Sequence, residues 1–294
     1  MMHILAHAKI NLDLQILGKR ADGYHEISTV MQALTLADEL EIELTETPGI
    51  CLRAEKTDAK NTDAIPADQT NLAYRAAEAV LGRYAEKRAK AGRKPVATGV
   101  SIRLIKQIPA AAGLAGGSSD AAAVLFALQT LLHDKEPAIA FTIEDEELYA
   151  IAKTLGADVP YCLYVNAGKV ARVLCTGIGD ILSPVMCDPE KPVSVLLVKP
   201  LVAISTPEIY RLYDSGNRKE AKNVLEPVAK ILCPEIETIE GKLQALGHAE
   251  TVQMSGSGPT VFGIYQDETA CKEDAQKLRS VFPSSYAILT TNYL

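Results

Sequence analysis

Apolar and polar residues alternate in two stretches near the N-terminus. In "AKINLDLQIL" (8–17) and "LEIELTE" (40–46) the apolar positions fall on every second residue: Ile10, Leu12, Leu14, Ile16, Leu40, Ile42 and Leu44. A period of two is typical of a strand with one buried face. The pattern therefore predicts two half-buried strands, and the turn-forming residues of "GKRADGYHEIST" (18–29) predict a loop between them.

Helical periodicity dominates residues 70–92. Thr70 or Asn71 can cap the start, apolar residues recur on one face, the last turn is basic and Gly92 follows it. Together these signals predict an amphipathic helix.

A strand, a glycine-rich loop and an apolar helix are predicted next, in that order. "VSIRLI" (100–105) alternates as a strand, "PAAAGLAGGSSDAAA" (109–123) contains three glycines, and the helix continues through Leu132. Further along, "EDEELYAIAKTLG" (144–156) predicts a helix. "ADVPYCLYV" (157–165) predicts a loop that leads into a strand, and "GKVARVLCTGIGDILSPV" (168–185) predicts a hairpin that turns near Gly177 and Gly179.

A change in composition at "MCDPEKPV" (186–193), with two prolines and opposed charges, predicts a boundary between domains 1–186 and 187–294. Beyond it the pattern predicts these elements: a strand at 194–200, helices at 206–214, 218–231 and 235–246, a strand at 251–265, a helix at 267–281 and a last strand near 286–292. Strands mixed with helices in this order predict an α+β fold whose second domain is a small sandwich.

Composition narrows the classes of function. The 294 residues are 48% hydrophobic and 23% charged with a net charge of −7, which supports a buried core and disfavours nucleic acid or an anionic membrane as partner. The N-terminus lacks a signal-peptide pattern, and no window reaches the roughly 18 apolar residues of a membrane span. Six scattered cysteines without a CxxC pair predict reduced thiols and a cytoplasmic location.

The glycine-rich loop leaves two interpretations open from its residues alone. Gly113, Gly116 and Gly117 would let backbone N–H groups approach phosphate oxygens at the start of a helix. They would equally let a buried helix pack closely on a strand. Ser118 and Ser119 can bind phosphate or cap the helix. The loop is neither a Walker A sequence, because no lysine follows the last glycine, nor a GxGxxG motif.

The loop "PAAAGLAGGSSDAAA" resembles the phosphate loop of the GHMP kinases, which include galactokinase, homoserine kinase, mevalonate kinase and phosphomevalonate kinase. Three further blocks extend the resemblance: the first two resemble the branch that phosphorylates 4-diphosphocytidyl-2-C-methyl-D-erythritol, and the third resembles the family's C-terminal glycine motif. These blocks are "AKINLDLQILGKRADGYHEISTVMQAL" (8–34), "LGADVPYCL" (155–163) and "MSGSGPTVFGIY" (254–265). They span nearly the whole chain in the family's order, and "ADGYHE" makes the resemblance specific.

This resemblance implies a fold and an activity. The fold would combine an N-terminal domain like domain 2 of ribosomal protein S5 with a ferredoxin-like C-terminal domain, and ATP and the substrate would bind in the cleft between them. The reaction would transfer the γ-phosphoryl group of ATP to the 2-hydroxyl of the diphosphocytidyl substrate, in the non-mevalonate isoprenoid pathway. Mg²⁺ is implied by the chemistry of ATP, without a protein ligand being indicated. The chain would act as a monomer or a homodimer.

Two residues of opposite charge would carry the chemistry. By the family's pattern, Asp158 in "GADVP" would orient the hydroxyl and accept its proton, and Lys9 in "AKIN" would sit beside it and offset phosphoryl charge. Without the resemblance, Asp158 would be a helix cap or a solvated carboxylate, and Lys9 a lysine at a strand edge.

ATP would be bound by two groups of residues. The resemblance assigns the phosphates to the loop Pro109, Ala110, Ala111, Ala112, Gly113, Leu114, Ala115, Gly116, Gly117, Ser118 and Ser119. By position, Asn71, Leu72 and Lys106 would border the adenosine, although a lysine at the end of a strand is ordinarily solvated.

The diphosphocytidyl substrate would meet residues from both ends of the chain. Asn11 would lie near the erythritol, and Tyr24 and His25 in "GYHE" would hold the cytosine, one by its ring face and the other by a polar edge. "ISTPEIY" (204–210) would supply Thr206 and Tyr210 to the same site. On local sequence alone, the Tyr24–His25 pair could instead pin its own loop.

Alanine stands at positions 111, 112 and 115, where some relatives carry glycine. The loop must therefore reach its conformation with negative φ at these positions or tolerate strain. Two rival functions stay open: a kinase of this superfamily for another small molecule, such as mevalonate or homoserine, and a binding or regulatory protein that has lost catalysis. "ADGYHE" disfavours the first, and the presence of both Lys9 and Asp158 disfavours the second.

Overall fold

The computed structural model describes residues 1–56, 65–94, 98–139, 141–142, 146–185, 192–216 and 219–294. The strands in these ranges are β1 (Met2–Asn11), β2 (Gln15–Lys19), β3 (His25–Thr45), β4 (Gly49–Lys56), β5 (Gly99–Lys106), β6 (Arg172–Thr176), β7 (Ile181–Pro184), β8 (Ser194–Lys199), β9 (Thr251–Met254), β10 (Val261–Tyr265) and β11 (Ala287–Asn292). The helices are α1 (Leu72–Lys90), α2 (Gly116–Lys135), α3 (Glu146–Leu155), α4 (Val159–Asn166), α5 (Thr206–Asp214), α6 (Glu226–Leu232), α7 (Glu235–Leu246) and α8 (Glu268–Val281).

The chain divides into two units that are interleaved in sequence. Unit 1 comprises Met1–His7, Ala37–Ile108 and Ala115–Val170, and unit 2 comprises Ala8–Leu36, Pro109–Leu114 and Ala171–Leu294. Most of "MCDPEKPV" lies outside the described residues, so the division at residue 186 stays a prediction.

Unit 1 packs helices α1 to α4 with strands that include β4, β5 and the second half of β3, and β1 also pairs with β3. β5 pairs in parallel with β4 and antiparallel with the second half of β3, where Ile42 lies opposite Ile102. α2 packs against α1, α3 and α4. It is apolar on nearly every side, and its residues from Ser119 to Leu125 are all buried, so it forms the centre of this unit's core.

Unit 2 contains a four-stranded antiparallel sheet in the order β11-β8-β10-β9. Counted from β8, the strands follow the order 4-1-3-2, and helices lie between the first and second and between the third and fourth. This is a ferredoxin-like βαββαβ arrangement, as the resemblance implies. α7 and α8 pack against the sheet over a core that includes Leu196, Val198, Ile239, Met254 and Val261. In the same unit, β2 and β6 pair with β3, and β7 pairs with β6.

Several sequence predictions are confirmed. α1 begins after Asn71, whose side-chain oxygen accepts from the N–H of Ala73, so Asn71 rather than Thr70 is the cap. α3, α5, α7, α8 and β5 fall within a few residues of their predicted ranges, and the hairpin β6–β7 turns at Gly177 and Gly179, both with positive φ.

Five predictions are corrected. Residues 157–165 form mainly a helix, because an apolar run of this length has no period that separates a buried helix from a strand. The predicted strand at 251–265 is a hairpin, since Gly256 and Gly258 adopt positive φ and turn the chain. The loop predicted at 18–29 is confined to 20–24, the strand predicted at 8–17 is interrupted at 12–14, and α6 begins only at Glu226.

None of the described helices combines the length and the apolar character needed to cross a bilayer. The cysteines in the described ranges form no disulfide: Cys51 is exposed, and Cys162, Cys175, Cys233 and Cys271 are buried.

Candidate active site

In unit 2, strand β1 ends in a buried polar pair. The Nζ atom of Lys9 donates to Oδ1 of Asn11 at 2.7 Å, and Nδ2 of Asn11 donates to Oγ1 of Thr29 at 2.8 Å. Lys9 is 4% exposed and Asn11 1% exposed. A buried ammonium needs partners to offset its desolvation. Lys9 is therefore held in a fixed position and is not a solvated lysine at a strand edge.

Three segments of unit 2 meet at this pair. The backbone N–H of Lys9 donates to the carbonyl of Leu114, and Oγ of Ser255 donates to the carbonyl of Gly113, both at 3.1 Å. A Cβ on Gly113 would lie 2.5 Å from the carbonyl oxygen of Ser255. A Cβ on Gly256 would lie 3.0 Å from Oδ1 of Asn11 and 3.4 Å from Nζ of Lys9. Glycine at both positions allows this close approach.

The first strand, the glycine-rich loop and the C-terminal glycine motif are thus neighbours in unit 2. Ser255 and Gly256 were not assigned to the site from the sequence, although "SGSGP" lies in a block that carried the resemblance. Thr206, the first residue of α5, belongs to the same region, because its hydroxyl hydrogen-bonds that of Ser257 at 2.7 Å.

A cluster of rings surrounds His25 in unit 2. The ring of His25 stacks on Tyr210 with centroids 4.8 Å apart and meets Tyr213 edge-on at 6.5 Å. Its Nε2 lies 2.8 Å from Oδ1 of Asp214, whose other oxygen accepts from Lys19 at 2.5 Å. Hydrogen bonds from Lys19 and His25 lower the pKa of Asp214. An ionised carboxylate only accepts, so Nε2 carries the hydrogen.

Tyr24 differs from its neighbour, because its side chain is 61% exposed. The loop 20–24 is closed by the N–H of Arg20 bonding the carbonyl of Tyr24, and by Arg20 pairing with Asp22 and Glu26. These contacts account for the loop's shape without the ring, so the interpretation that the Tyr24 ring pins its own loop loses its support.

In unit 1, helix α2 begins without a side-chain cap. Its N-cap residue is Ala115, with a φ of 59°, which makes no side-chain capping hydrogen bond. Ser119 is buried and donates its hydroxyl to the carbonyl of His7 and its N–H to the carbonyl of Ala115. Neither Ser118 nor Ser119 is therefore the helix cap. The N–H groups of Gly116, Gly117 and Ser118 have no carbonyl one turn back to bond.

The two glycines at this helix start meet different surroundings. A Cβ on Gly116 would lie 3.1 Å from Cγ2 of Ile108 and 3.2 Å from Nζ of Lys106, so protein fills the space behind it. A Cβ on Gly117 would meet only Cδ1 of Leu72, at 3.7 Å. Among the described residues, no atom comes close enough to an added Cβ to require glycine at position 117. The start of α2 therefore has open space beside the backbone of Gly117.

Lys106 lies at the end of β5 and is not solvated. Its Nζ donates to Oδ2 of Asp38 and, at 2.7 Å, to Oδ2 of Asp120. Burial acts to lower the pKa of Lys106, but the charges of Asp120 and Asp38 outweigh it, so its pKa is raised. Burial raises the pKa of Asp120 to about 8, with Lys106 opposing the rise and Asp38 adding to it. Neither aspartate was found from the sequence.

The remaining predicted residues of unit 1 are Asn71, Leu72 and Asp158. Leu72 is next to Gly117, and Asn71, which caps α1, also donates to the carbonyl of Pro66 at 2.8 Å. Asp158 occupies the N-cap position of α4 but makes no capping hydrogen bond, so its carboxylate is not used as a cap. Gly156, two residues earlier, faces Oγ of Ser118, which would lie 3.8 Å from an added Cβ.

Comparison with known proteins places the chain among kinases. The family model described as the GHMP kinases N terminal domain matches residues 71–166, and that of the GHMP kinases C terminal matches 208–284. A 4-diphosphocytidyl-2-C-methyl-D-erythritol kinase of Desulfotalea psychrophila is 39% identical over 92% of this chain and 88% of its own.

Comparison with solved structures also places the chain among these kinases. A crystal structure of 4-(cytidine 5'-diphospho)-2C-methyl-D-erythritol kinase aligns with a TM-score of 0.73 and 33% identity over 99% of each chain. A homoserine kinase from Cytophaga hutchinsonii aligns over 97% of this chain and 94% of its own, with a TM-score of 0.60 and 15% identity, which shows a shared fold only.

The fold and the matched domains thus define the class, the GHMP kinases. Sequence identity above 30% over nearly the whole chain then defines the family within this class. The chain belongs to the family of 4-diphosphocytidyl-2-C-methyl-D-erythritol kinases.

Proposed function

We propose that the protein transfers the γ-phosphoryl group of ATP to the 2-hydroxyl of 4-diphosphocytidyl-2-C-methyl-D-erythritol, giving the 2-phosphate and ADP in the non-mevalonate isoprenoid pathway. The observation that carries this proposal is the buried ammonium of Lys9, held 2.7 Å from Asn11 beside Gly256. A buried, partnered cation next to a glycine-rich phosphate loop suits a reaction that needs charge neutralisation more than covalent chemistry.

Lys9 and Asp158 would have separate roles in the phosphoryl transfer. Asp158 would accept the proton of the attacking hydroxyl, because a carboxylate positioned beside a reacting hydroxyl can act as a general base. Lys9 would offset the charge that develops on the transferring phosphoryl group. Asn11, which holds Nζ of Lys9, would also contact the erythritol.

The ATP phosphates would lie on the loop Pro109–Ser119. The N–H groups of Gly116, Gly117 and Ser118 would bind phosphate oxygens, helped by the positive end of the α2 dipole. Asn71 and Leu72 would border the adenosine, because Leu72 lies next to Gly117. A direct contact of Lys106 with adenosine stays a prediction.

Cytosine would be held in unit 2. The exposed ring of Tyr24 offers one face for stacking, and the stacked pair His25–Tyr210 offers a ring surface and a polar edge. Thr206 would contribute its hydroxyl beside Ser257.

Mg²⁺ is proposed only as the ion that accompanies ATP. In the part of the chain that the structure describes, no group of three or more His, Cys, Asp and Glu side chains could hold a metal ion. Mg²⁺ commonly binds through substrate phosphates and water. A cytoplasmic location and a monomeric or homodimeric state stay predictions.

The test is ADP formation with purified protein. We expect ADP only when the diphosphocytidyl substrate is added, with mevalonate and homoserine inactive, because neither has a base for the Tyr24–His25 region. Asp158→Ala should lower kcat by about two to four orders of magnitude with little change in KM, the range typical of a lost general base. Equal turnover of mevalonate or homoserine would refute the substrate assignment, and wild-type kcat in Asp158→Ala would refute the proton acceptor.

Gly117→Ala tests the phosphate site. The added methyl has room within unit 1, and alanine favours a helix by roughly 1 kcal/mol over glycine, so stability should hold or rise. KM for ATP should nevertheless increase, because the methyl would occupy the space of a bound phosphate. An unchanged KM for ATP would place the phosphates elsewhere.

A further inference from the structure

Three buried charged residues surround the two ends of the phosphate loop. Lys106 lies three residues before Pro109, Asp120 directly follows Ser119, and Asp38 comes from the middle of β3. We call Asp38, Lys106 and Asp120 the ionic cluster. All three belong to unit 1, and the side chain of Lys106 is only 12% exposed.

At the start of the loop, Asp38 holds the backbone. Its Oδ1 accepts from the N–H of Gln107 at 2.5 Å and from that of Ile108 at 2.8 Å, while its Oδ2 accepts from Lys106. The carboxylate is fully buried. Two backbone hydrogen bonds and an ion pair on one side chain fix the direction in which the chain leaves β5.

At the end of the loop, Lys106 reaches the first turn of α2. Its Nζ donates to Oδ2 of Asp120 at 2.7 Å and would lie 3.2 Å from a Cβ on Gly116. The ammonium therefore lies directly behind the backbone whose N–H groups face the proposed phosphates. Oδ1 of Asp120 is buried and accepts no hydrogen bond within the described residues, so Lys106 is its anchoring partner.

We propose that the ionic cluster positions the phosphate loop for nucleotide binding: Asp38 sets its start, Asp120 its end, and Lys106 joins the two. This proposal rests on the proposed function, because it assumes that ATP binds at the start of α2. The three residues act through the backbone of Gln107, Ile108 and Gly116. They are positioning residues, since the ammonium of Lys106 already donates to oxygens of Asp38 and Asp120.

Binding of a non-hydrolysable ATP analogue, measured by calorimetry, tests the proposal together with kcat and both KM values. Asp38→Ala and Asp120→Ala should each raise the analogue's Kd at least about tenfold. KM for the diphosphocytidyl substrate should stay within about twofold, and kcat at saturating ATP within about threefold. Asp38→Asn and Asp120→Asn keep an acceptor oxygen and should recover most of the affinity. Glu43→Gln, on an exposed position of β3, is the matched control and should bind as wild type.

Three results would overturn the proposal. Alanine variants that unfold at lower temperature yet bind the analogue normally would make the cluster a scaffold only. A rise in Kd for Lys106→Met alone, with both aspartate variants normal, would indicate direct contact between Lys106 and the nucleotide. Variants in which KM for the diphosphocytidyl substrate and Kd for the ATP analogue rise by the same factor would indicate a general loss of structure.

A second variant covers the case in which the alanine variants do not fold. Gly116→Ala pushes on Lys106 and Ile108 from behind the loop while improving helix propensity. It should raise the analogue's Kd, and wild-type affinity would count against the proposal. If the wild-type protein does not bind the analogue at all, the proposed function fails first, which separates the two failures.

Discussion

At the scale of single residues, alanine occupies two backbone positions of the phosphate loop that favour glycine. Ala111 has a φ of 47° and Ala115 a φ of 59°, whereas Ala112 is not among the positive-φ residues. The left-handed conformation costs an L-residue roughly 1–2 kcal/mol. Of the two possibilities that the sequence left open, negative φ or strain, strain is thus found at two of three positions. Strained residues persist where surrounding contacts hold them, and binding sites are such places.

Tyr24 carries a residue-scale prediction. A base stacked on an aromatic ring contributes roughly 1–3 kcal/mol, so Tyr24→Ala should raise KM for the diphosphocytidyl substrate about tenfold to a hundredfold. The ring is exposed, so folding should be unaffected. Tyr24→Phe keeps the ring and should retain most of the affinity, and KM for ATP should not change in either variant. An unchanged substrate KM in Tyr24→Ala would remove Tyr24 from the cytidine site.

At the scale of elements, the sequence predicts those helices and strands that depend on interactions between residues close together in the chain. α1, with its Asn71 cap and Gly92 end, was predicted within two residues, because capping and periodicity are written in adjacent positions. α4 was missed, because its apolar residues face protein on every side and leave no period. The same contrast holds for the residues of the site. Motifs found Lys9 and Asp158, whereas Asp38 and Asp214 were missed, because their partners lie 68 and 189 residues away along the chain.

Two glycines with similar backbone angles allow an element-scale prediction. Gly92 and Gly113 have φ values of 68° and 72°, but nothing lies within 4 Å of a Cβ on Gly92. Gly92→Ala should therefore cost only the left-handed strain, roughly 1–2 kcal/mol. Gly113→Ala should cost more, because its Cβ would clash with the carbonyl oxygen of Ser255, and it alone should raise KM for ATP. Equal losses in denaturant unfolding would show that the loop and the C-terminal turn do not touch in solution.

At the scale of the whole molecule, the residues that the proposal assigns to catalysis and binding are distributed over both units. Lys9, Asn11 and Gly113 belong to unit 2, and Gly117 and Asp158 to unit 1. The fold itself does not choose the substrate, since the homoserine kinase shares it at 15% identity. Substrate choice is therefore expected from the loop 20–24 and α5 in unit 2, and nucleotide binding from the start of α2.

This division predicts separable effects of the two ligands on thermal stability. A ligand at about 100 times its Kd adds roughly 2.7 kcal/mol to the free energy of unfolding. For a chain of this size that corresponds to a rise in unfolding temperature of several degrees, at roughly 2–4 °C per kcal/mol. A non-hydrolysable ATP analogue and the diphosphocytidyl substrate should each produce such a rise in the wild-type protein, measured by scanning calorimetry.

Two single substitutions should each remove only one of these two rises in unfolding temperature. Gly117→Ala should lose most of the rise caused by the ATP analogue and keep that caused by the substrate, because its methyl lies only in the phosphate site. Tyr24→Ala should show the reverse, because it removes only the ring proposed to stack on cytosine. Mevalonate should shift neither variant nor the wild-type protein. If one of these substitutions abolished both shifts while the ligand-free unfolding temperature stayed at the wild-type value, nucleotide and cytidine would not be recognised independently. The assignment of each ligand to its own set of residues would then be wrong.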